Sequence, residues 1–322
     1  MFVLGIQGSP RKKGNTGFLL SAFMDQAREL GAKTDVIEVD KKNILPCKEY
    51  LVCEKKGFCP IDDDMKHEIY SLLWEADVVV TATPIFFYNT PAQLKALIDR
   101  CQTLWARKYK LKLEDPGRKW RRGFLLAVGA TRGKNLFEGV RLTTKYFMDA
   151  IGASFDGSLC YRQIENPGDM EKHPTVLKDV KEVVHGLLKP FVGRKKILFA
   201  CRKNACRSQM ASAFAQYVAG DKIEAFSGGT HPAKNIDPVM AKAMAENGID
   251  MAFRKPKSLE SAIFNIQPDI VITMGCDVEC PFIPEVERDD WDLTDPAGKP
   301  IEVMRNVCDQ IEKKVVKLIG QL

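Results

Sequence analysis

The chain has 322 residues, 45% hydrophobic, 28% charged and 9% aromatic. That is material for about two globular cores at roughly 150 residues per domain, and it excludes a disordered or fibrous chain. The formal charge of +6, from 48 Lys and Arg against 42 Asp and Glu, lies entirely before residue 194. Over 100–122 there are nine basic and two acidic residues. Only Trp105, Tyr109 and Trp120 interleave those cations, so the run reads as a solvated face or a cover over an anionic cofactor, and no nucleic-acid partner is expected. No apolar run approaches the ~18 residues of a membrane helix. The apolar start precedes its basic residues, the reverse of a signal peptide, so a cytoplasmic protein with no membrane partner is expected.

In chain order, short β-branched runs alternate with helical periodicity. The spacing predicts strands at 2–7, 34–39, 78–82, 124–128 and 155–160, with amphipathic helices at 18–30, 91–104, 136–151 and 176–189. Pro190 and Gly193 then break the pattern, and it restarts with strands at 196–200, 223–227 and 269–273 and helices at 209–218, 238–247 and 303–319. Such alternation predicts parallel sheets covered on both faces. The expected fold class is therefore α/β, two doubly wound parallel-sheet domains spanning 1–190 and 194–322.

The first predicted strand ends in GSPRKKGNT over 8–16, where glycines and hydroxyls before a helix suit a phosphate. TPIFFYNTP over 83–91 follows the third strand, and ATRG over 130–133 follows the fourth. All three loops follow strand carboxyl ends, the edge at which doubly wound sheets bind ligands. This half resembles the NADPH-dependent FMN reductase and iron–sulfur flavoprotein family, of flavodoxin-like fold. The resemblance implies FMN, its phosphate held by Ser9, Arg11, Asn15 and Thr16. Its ring would lie along Pro84, Phe86, Phe87, Tyr88 and Asn89, with Thr131 and Arg132 in the third loop. NAD(P)H would be the electron donor.

Seven of the ten cysteines fall into three clusters. The first lies in PCKEYLVCEKKGFC over 46–59, followed by Asp63, Asp64 and Met65. Iron–sulfur members of the family carry four cysteines before this Asp-Asp-Met. Here Tyr50 takes the second cysteine's place, so Cys47, Cys53 and Cys59 fall short of four-cysteine ligation; structural cysteines or a zinc site are expected ahead of an iron–sulfur cluster, and no metal ligand is assigned. Cys101, Cys160 and Cys308 stand alone in apolar or amphipathic segments and are expected in the core.

In the second half, the strand at 196–200 runs into CRKNACRS over 201–208 and then a helix. Backbone N–H groups of such a turn, with the helix N-terminus, nest a tetrahedral oxyanion. Arg207 adds a bidentate fork, and the same field favours a thiolate at Cys201. Ser208 can donate to that sulfur, Asn204 can pin the loop, and Cys206 is expected to pack. The half resembles the low-molecular-weight tyrosine phosphatase superfamily and, within it, the arsenate reductases. The phosphatases usually continue with proline after this loop, whereas here Gln209-Met210-Ala211 follows. The likeness extends through SGGTHP over 227–232, ENGID over 246–250, TMGC over 273–276 and WDLTDPAG over 291–298.

The resemblance implies that Cys201 attacks arsenate, that Asp295 protonates the departing water, and that a second thiol releases arsenite. The third thiol would then take over the disulfide by exchange. Cys276 and Cys280 would be those two thiols, closer in sequence than the resolving pair of the thioredoxin-coupled type. If helical, they lie about 6 Å apart at Cα, within disulfide range. The substrate would be arsenate or a phosphate-like oxyanion. The linker over 189–195 joins the sheet edges opposite both predicted sites. Electrons are therefore expected to pass between subunits of a homo-oligomer, or through thioredoxin or another thiol carrier. Two other functions stay open at this point: a low-molecular-weight protein tyrosine phosphatase fused to a flavin reductase, and a redox- or arsenic-sensing thiol module.

Overall fold

The computed structural model describes residues 1–11, 13–275 and 284–322; Cys276 and Cys280 lie outside the described residues. The chain divides into two compact units, 1–112 with 118–192 and 113–117 with 193–322. In the first, β1 (Phe2–Gln7), β2 (Lys33–Glu38), β3 (Val78–Pro84), β4 (Arg122–Val128) and β5 (Ser154–Tyr161) form one sheet in the order β2-β1-β3-β4-β5. All its pairings are parallel, the doubly wound order of flavodoxin-like folds.

Residues 78–83 of β3 are buried without a break, as a central parallel strand with both faces covered requires. Val3, Val80 and Leu126 pack on one face against Phe23 and Met24 of helix Asn15–Glu29 and Val180 and Val184 of helix Val176–Leu188. Each such side chain contributes about 1.5–3 kcal/mol by leaving water. On the other face Leu125 and Ala127 meet Leu136, Phe137 and Val140. These layers bring the loops after β1, β3 and β4 to one edge.

The helix expected at 91–104 is two, Ala92–Arg100 and Gln102–Tyr109, separated by Cys101 at ψ 0°. At that break the Arg100 guanidinium is fully buried and paired with Asp63. Asp63 also accepts from Leu45 N at 3.0 Å and Met65 N at 3.2 Å, and Arg100 Nη1 donates to Leu45 O at 2.8 Å. The ion pair thus ties together both ends of the cysteine-bearing segment.

In the second unit β6 (Lys195–Cys201), β7 (Ile223–Gly229), β8 (Ile270–Thr273) and β9 (Glu287–Asp290) pair in parallel in the order β7-β6-β8-β9. Helices Arg207–Ala219, Pro238–Glu246 and Ile301–Ile319 enclose Phe199, Met210, Phe214, Met244, Trp291 and Ile311. Two elements were not expected. Helix Leu259–Ile266 starts at Ser258, whose hydroxyl accepts from Ser261 N at 3.1 Å. Strand β9 is Glu-Arg-Asp-Asp and wholly exposed, an edge strand with no apolar face to betray it. Among the described residues no helix is long and apolar enough to cross a membrane.

Candidate active sites

At the first unit's edge, Gly8 N donates to Ala82 O at 2.7 Å. A Cβ on Gly8 would stand 2.5 Å from Leu94 Cδ2 and 3.0 Å from Ala82 O, so any larger residue in the turn out of β1 would displace the Leu94 side chain. Ser9 is buried, and its hydroxyl accepts from Arg11 N at 3.1 Å, which curls the loop toward helix Asn15–Glu29. That helix has Gly14 as N-cap with no side-chain cap and no acid in its first turn. Its leading amides have no intrahelical acceptor, which makes its N-terminus an anion site. Thr16 is buried there, and Arg11 is exposed. Asn15 divides its work: its side chain donates to Asn166 O at 2.8 Å and accepts from Met170 N at 3.1 Å. What it offers an anion is its backbone N–H.

The loop after β3 holds a two-residue reversal. Phe86 N donates to Asn89 O at 2.8 Å, and Asn89 N donates back to Phe86 O at 3.0 Å. Between them Phe87 and Tyr88 have φ of 48° and 63°, a turn that glycine and asparagine favour. Aromatic residues there carry backbone strain of the kind found at ligand sites. Phe86 and Tyr88 are half exposed, and Phe87 is fully so. Asn89 anchors the turn by donating to Thr143 Oγ1 at 3.1 Å.

The tip of this loop reaches the loop after β4. Tyr88 Oη lies 2.8 Å from where a Cβ of Gly133 would be, and Tyr88 O lies 2.6 Å from that of Gly139. Thr131 and Arg132 are exposed beside them. Gln7, at the end of β1, is buried with both amide atoms unpartnered, and so is the Thr90 hydroxyl. An uncapped helix N-terminus, exposed aromatic faces and orphaned polar atoms at one edge fit a phosphorylated flavin.

In the second unit, β6 delivers Cys201, 3% exposed, into the turn before helix Arg207–Ala219. Asn204 is fully buried with φ 46°. Gly229 lies against it: a Cβ there would be 2.8 Å from Asn204 N. Lys257 N donates to Asn204 Oδ1 at 2.8 Å. A backbone N–H can only donate, so this bond fixes which side-chain atom is oxygen. The other, Nδ2, then donates to Ser208 Oγ at 2.8 Å. With its oxygen accepting, Ser208 can turn its hydrogen to Cys201 Sγ, 2.9 Å away. Asn204 N donates to the same sulfur at 3.2 Å.

Gln209, buried, donates through Nε2 to Asn204 O at 3.2 Å, Asn204 Oδ1 at 3.1 Å and Lys255 O at 3.2 Å. Proline at this position could make none of these bonds. Lys255 and Lys257 are missed by motif reading because they act through backbone atoms, which leave no residue-type signal.

Arg207 Nη1 donates to Met274 O at 2.8 Å and Leu293 O at 2.7 Å, which braces the guanidinium over the loop. Its Nη2 lies 3.4 Å from Asp295 Oδ2, a carboxylate half exposed to solvent. The structure therefore brings Cys201, Asn204, Arg207 and Ser208 into one loop and places Asp295 on its arginine. Cys206 is buried in the core, and burial, then the Asp237 carboxylate, push its thiol up. Cys101 and Cys308 are core residues as well. Cys160 departs from that expectation, being half-buried in a cavity wall.

A family model described as NADPH-dependent FMN reductase matches residues 1–152, and one described as low molecular weight phosphotyrosine protein phosphatase matches 196–322. The iron–sulfur flavoprotein of Methanosarcina thermophila is 39% identical over 132 residues, 41% of this chain and 65% of that protein's own length. The chain thus spans just under two thirds of that relative. The iron–sulfur flavoprotein of Archaeoglobus fulgidus is 33% identical over 162 residues, 49% of this chain and 79% of its own. Arsenate reductase 2 of Staphylococcus haemolyticus is 36% identical over 125 residues, 38% of this chain and 94% of its own.

The cluster in the names of the two flavoproteins finds a poor fit here. Tyr50 is 56% exposed where a fourth thiolate belongs. Among the described residues no three His, Cys, Asp or Glu side chains are set to hold a metal. Burial first, then the neighbouring Cys59 and Cys47, push the Cys53 thiol up. By these matches the chain belongs, in its second half, to the arsenate reductases of the low-molecular-weight phosphatase family and, in its first half, to the flavoproteins of the NADPH-dependent FMN reductase family, two oxidoreductase lineages in one polypeptide.

Proposed function

We propose that this chain is a cytoplasmic arsenate reductase joined to an FMN-dependent NAD(P)H oxidoreductase unit. The observation that carries the reading is the buried Asn204–Ser208–Gln209 network, which aims a hydroxyl proton at Cys201 and uses glutamine where the phosphatases have proline. The open amides of the helix start and the free edge of Arg207 bind the arsenate oxygens. Cys201 Sγ then forms a bond to arsenic, and one arsenate oxygen leaves as water with a proton from Asp295. A second thiolate, from Cys276 or Cys280, attacks Cys201 Sγ. The sulfur–arsenic electron pair passes to arsenic, which leaves as arsenite, and two thiols become a disulfide. The remaining thiol of the pair takes over that disulfide by exchange and frees Cys201.

A flavin bound here would supply hydride-accepting and two-electron chemistry between NAD(P)H and the disulfide. The first-turn amides of helix Asn15–Glu29, with Ser9, Arg11 and Thr16, would hold its phosphate. Phe86, Phe87 and Tyr88, on the turn with Pro84 and Asn89, would cover its ring, and Thr131 and Arg132 would flank it. Thioredoxin or another thiol carrier, or a second subunit of a homo-oligomer, conveys the electrons to the disulfide. The test is arsenate turnover by the purified chain and by Cys201→Ser: arsenite formed by the first and not by the second supports the reading. Turnover retained in Cys201→Ser would refute it.

A further inference from the structure

One segment of the first unit holds three thiols that neither candidate site uses. Cys47, Cys53 and Cys59 are free, Cys47 exposed and the other two half-buried. Their segment is a loop closed at its base. Asn43 N donates to Asp64 Oδ2 at 2.8 Å and Asp64 N to Asn43 O at 3.1 Å, beside the pairing of Leu45 with Asp63 and Arg100. Within the loop, Glu49, Leu51 and Gly57 have φ of 50°, 57° and 71°, reversals that turn the chain back on itself. Helix Val52–Lys56 carries Cys53, and Arg107 Nη1 holds its end by donating to Gly57 O at 2.6 Å. Cys59 and Cys47 both come close enough to act on the Cys53 thiol by charge.

Three thiols without a fourth ligand narrow what they suit. A structural zinc site or an iron–sulfur cluster takes four ligands, and Tyr50, more than half exposed, supplies none. Those ions also need thiolates, whereas burial and the neighbouring sulfurs favour the protonated Cys53. Trivalent arsenic reverses both preferences. It makes three bonds to sulfur in a pyramid whose fourth corner is its own lone pair. Arsenite at neutral pH is an uncharged acid with three hydroxyls, and each hydroxyl leaves as water with the proton a thiol brings. Among the described residues no three side chains stand preset for a metal. Arsenic takes its sulfurs one after another, so a closed loop that keeps them near each other suffices.

We propose that Cys47, Cys53 and Cys59 form a binding site for trivalent arsenic, the product of the arsenate chemistry proposed for the second unit. The choice of ligand rests on that reading. On binding, three sulfur–arsenic bonds form and three arsenic–oxygen bonds break, and the thiol protons leave with the hydroxyls as three waters. Arsenic stays trivalent, so no oxidant or reductant is consumed. Titration of the reduced full chain with sodium arsenite tests the site, with free thiols then alkylated and located peptide by peptide. Cys47, Cys53 and Cys59 become protected together, along one binding curve. Cys47→Ser and Cys53→Ser each raise the arsenite concentration that protects the remaining two by about a hundredfold, the loss of one arm of a chelate. Initial rates of arsenate reduction are unchanged in both variants, since neither thiol serves Cys201.

Cys47 is exposed, so Cys47→Ser reports on binding even where Cys53→Ser disturbs its short helix. Protection of none or only one of the three thiols would overturn the proposal. So would a Cys47→Ser chain whose other two thiols are protected as well as in the wild type. Zinc chloride protecting all three at a lower concentration than arsenite would overturn it in favour of a zinc site. Failure of the arsenate reading would show separately, as no arsenite formed from arsenate, because the titration supplies arsenite directly.

Discussion

Replacing Asn204 by aspartate singles out one proton. Aspartate keeps an oxygen for Lys257 N and Gln209 Nε2 but has no N–H for Ser208 Oγ. The Ser208 hydroxyl then donates to the new carboxylate, and Cys201 loses a donor 2.9 Å away. A hydrogen bond to a charged atom is worth roughly 1.5–3 kcal/mol. At ~1.4 kcal/mol per factor of ten, arsenate reduction falls by roughly tenfold to a hundredfold, and repulsion between carboxylate and thiolate adds to this.

Asn204→Ala acts differently. It takes the acceptor from the Lys257 N–H in a buried site at about 1–3 kcal/mol, while Gln209 keeps the backbone carbonyls of residue 204 and Lys255, and it puts alanine into a left-handed conformation at about 1–2 kcal/mol. The sum is roughly 2–5 kcal/mol of stability, a large part of a typical total. Arsenite formation and urea unfolding of both variants separate these effects: Asn204→Asp loses rate with the smaller stability loss, and Asn204→Ala loses both. Wild-type turnover in Asn204→Asp, or wild-type stability in Asn204→Ala, would refute the proton-directing network.

Asp63→Asn, which breaks the buried pair with Arg100, is expected to cost about 3–5 kcal/mol, read as a lower urea midpoint. Phe87→Gly relieves a φ of 48°, so thermal unfolding of the FMN-free chain moves up while FMN affinity, read by fluorescence quenching, falls. Purified anaerobically, the chain is expected to be yellow with stoichiometric FMN and little iron; stoichiometric iron and sulfide would contradict the reading of Tyr50. Burial alone pushes the Asp290 carboxyl up, but hydrogen bonds from the Thr273 hydroxyl and Gly275 N–H hold it below the ordinary range. Its contribution is therefore full above the unfolded carboxylate value of about 3.9 and is lost as pH falls toward the folded value. Asp290→Asn should flatten the acid limb of a stability–pH curve below about pH 4.

The strands of the first unit were legible because parallel strands buried on both faces read as continuous β-branched runs, as Val78–Val79–Val80 does. Strand β9 was not, since an exposed edge of Glu287, Arg288, Asp289 and Asp290 carries no apolar period. Cys201, Arg207 and Ser208 were legible from residue type and spacing. The role of Lys257 was not, because its backbone N–H orients Asn204 whatever its side chain. Nor could spacing show that Asn15 spends its amide on residues 166–170. Cys160 read as core because it sits between Leu159 and Tyr161 at the end of a strand, yet the cavity beside it is framed by residues distant in sequence.

The central claim is that Cys201 does reductive rather than hydrolytic work with electrons that enter at the flavin. Arsenite formed from arsenate, measured against NADPH consumed by the purified full chain with thioredoxin as thiol carrier, tests it most directly. The account predicts one arsenite per NADPH, with both activities absent in Cys201→Ser. Hydrolysis of an aryl phosphate by Cys201 without any arsenite would contradict it.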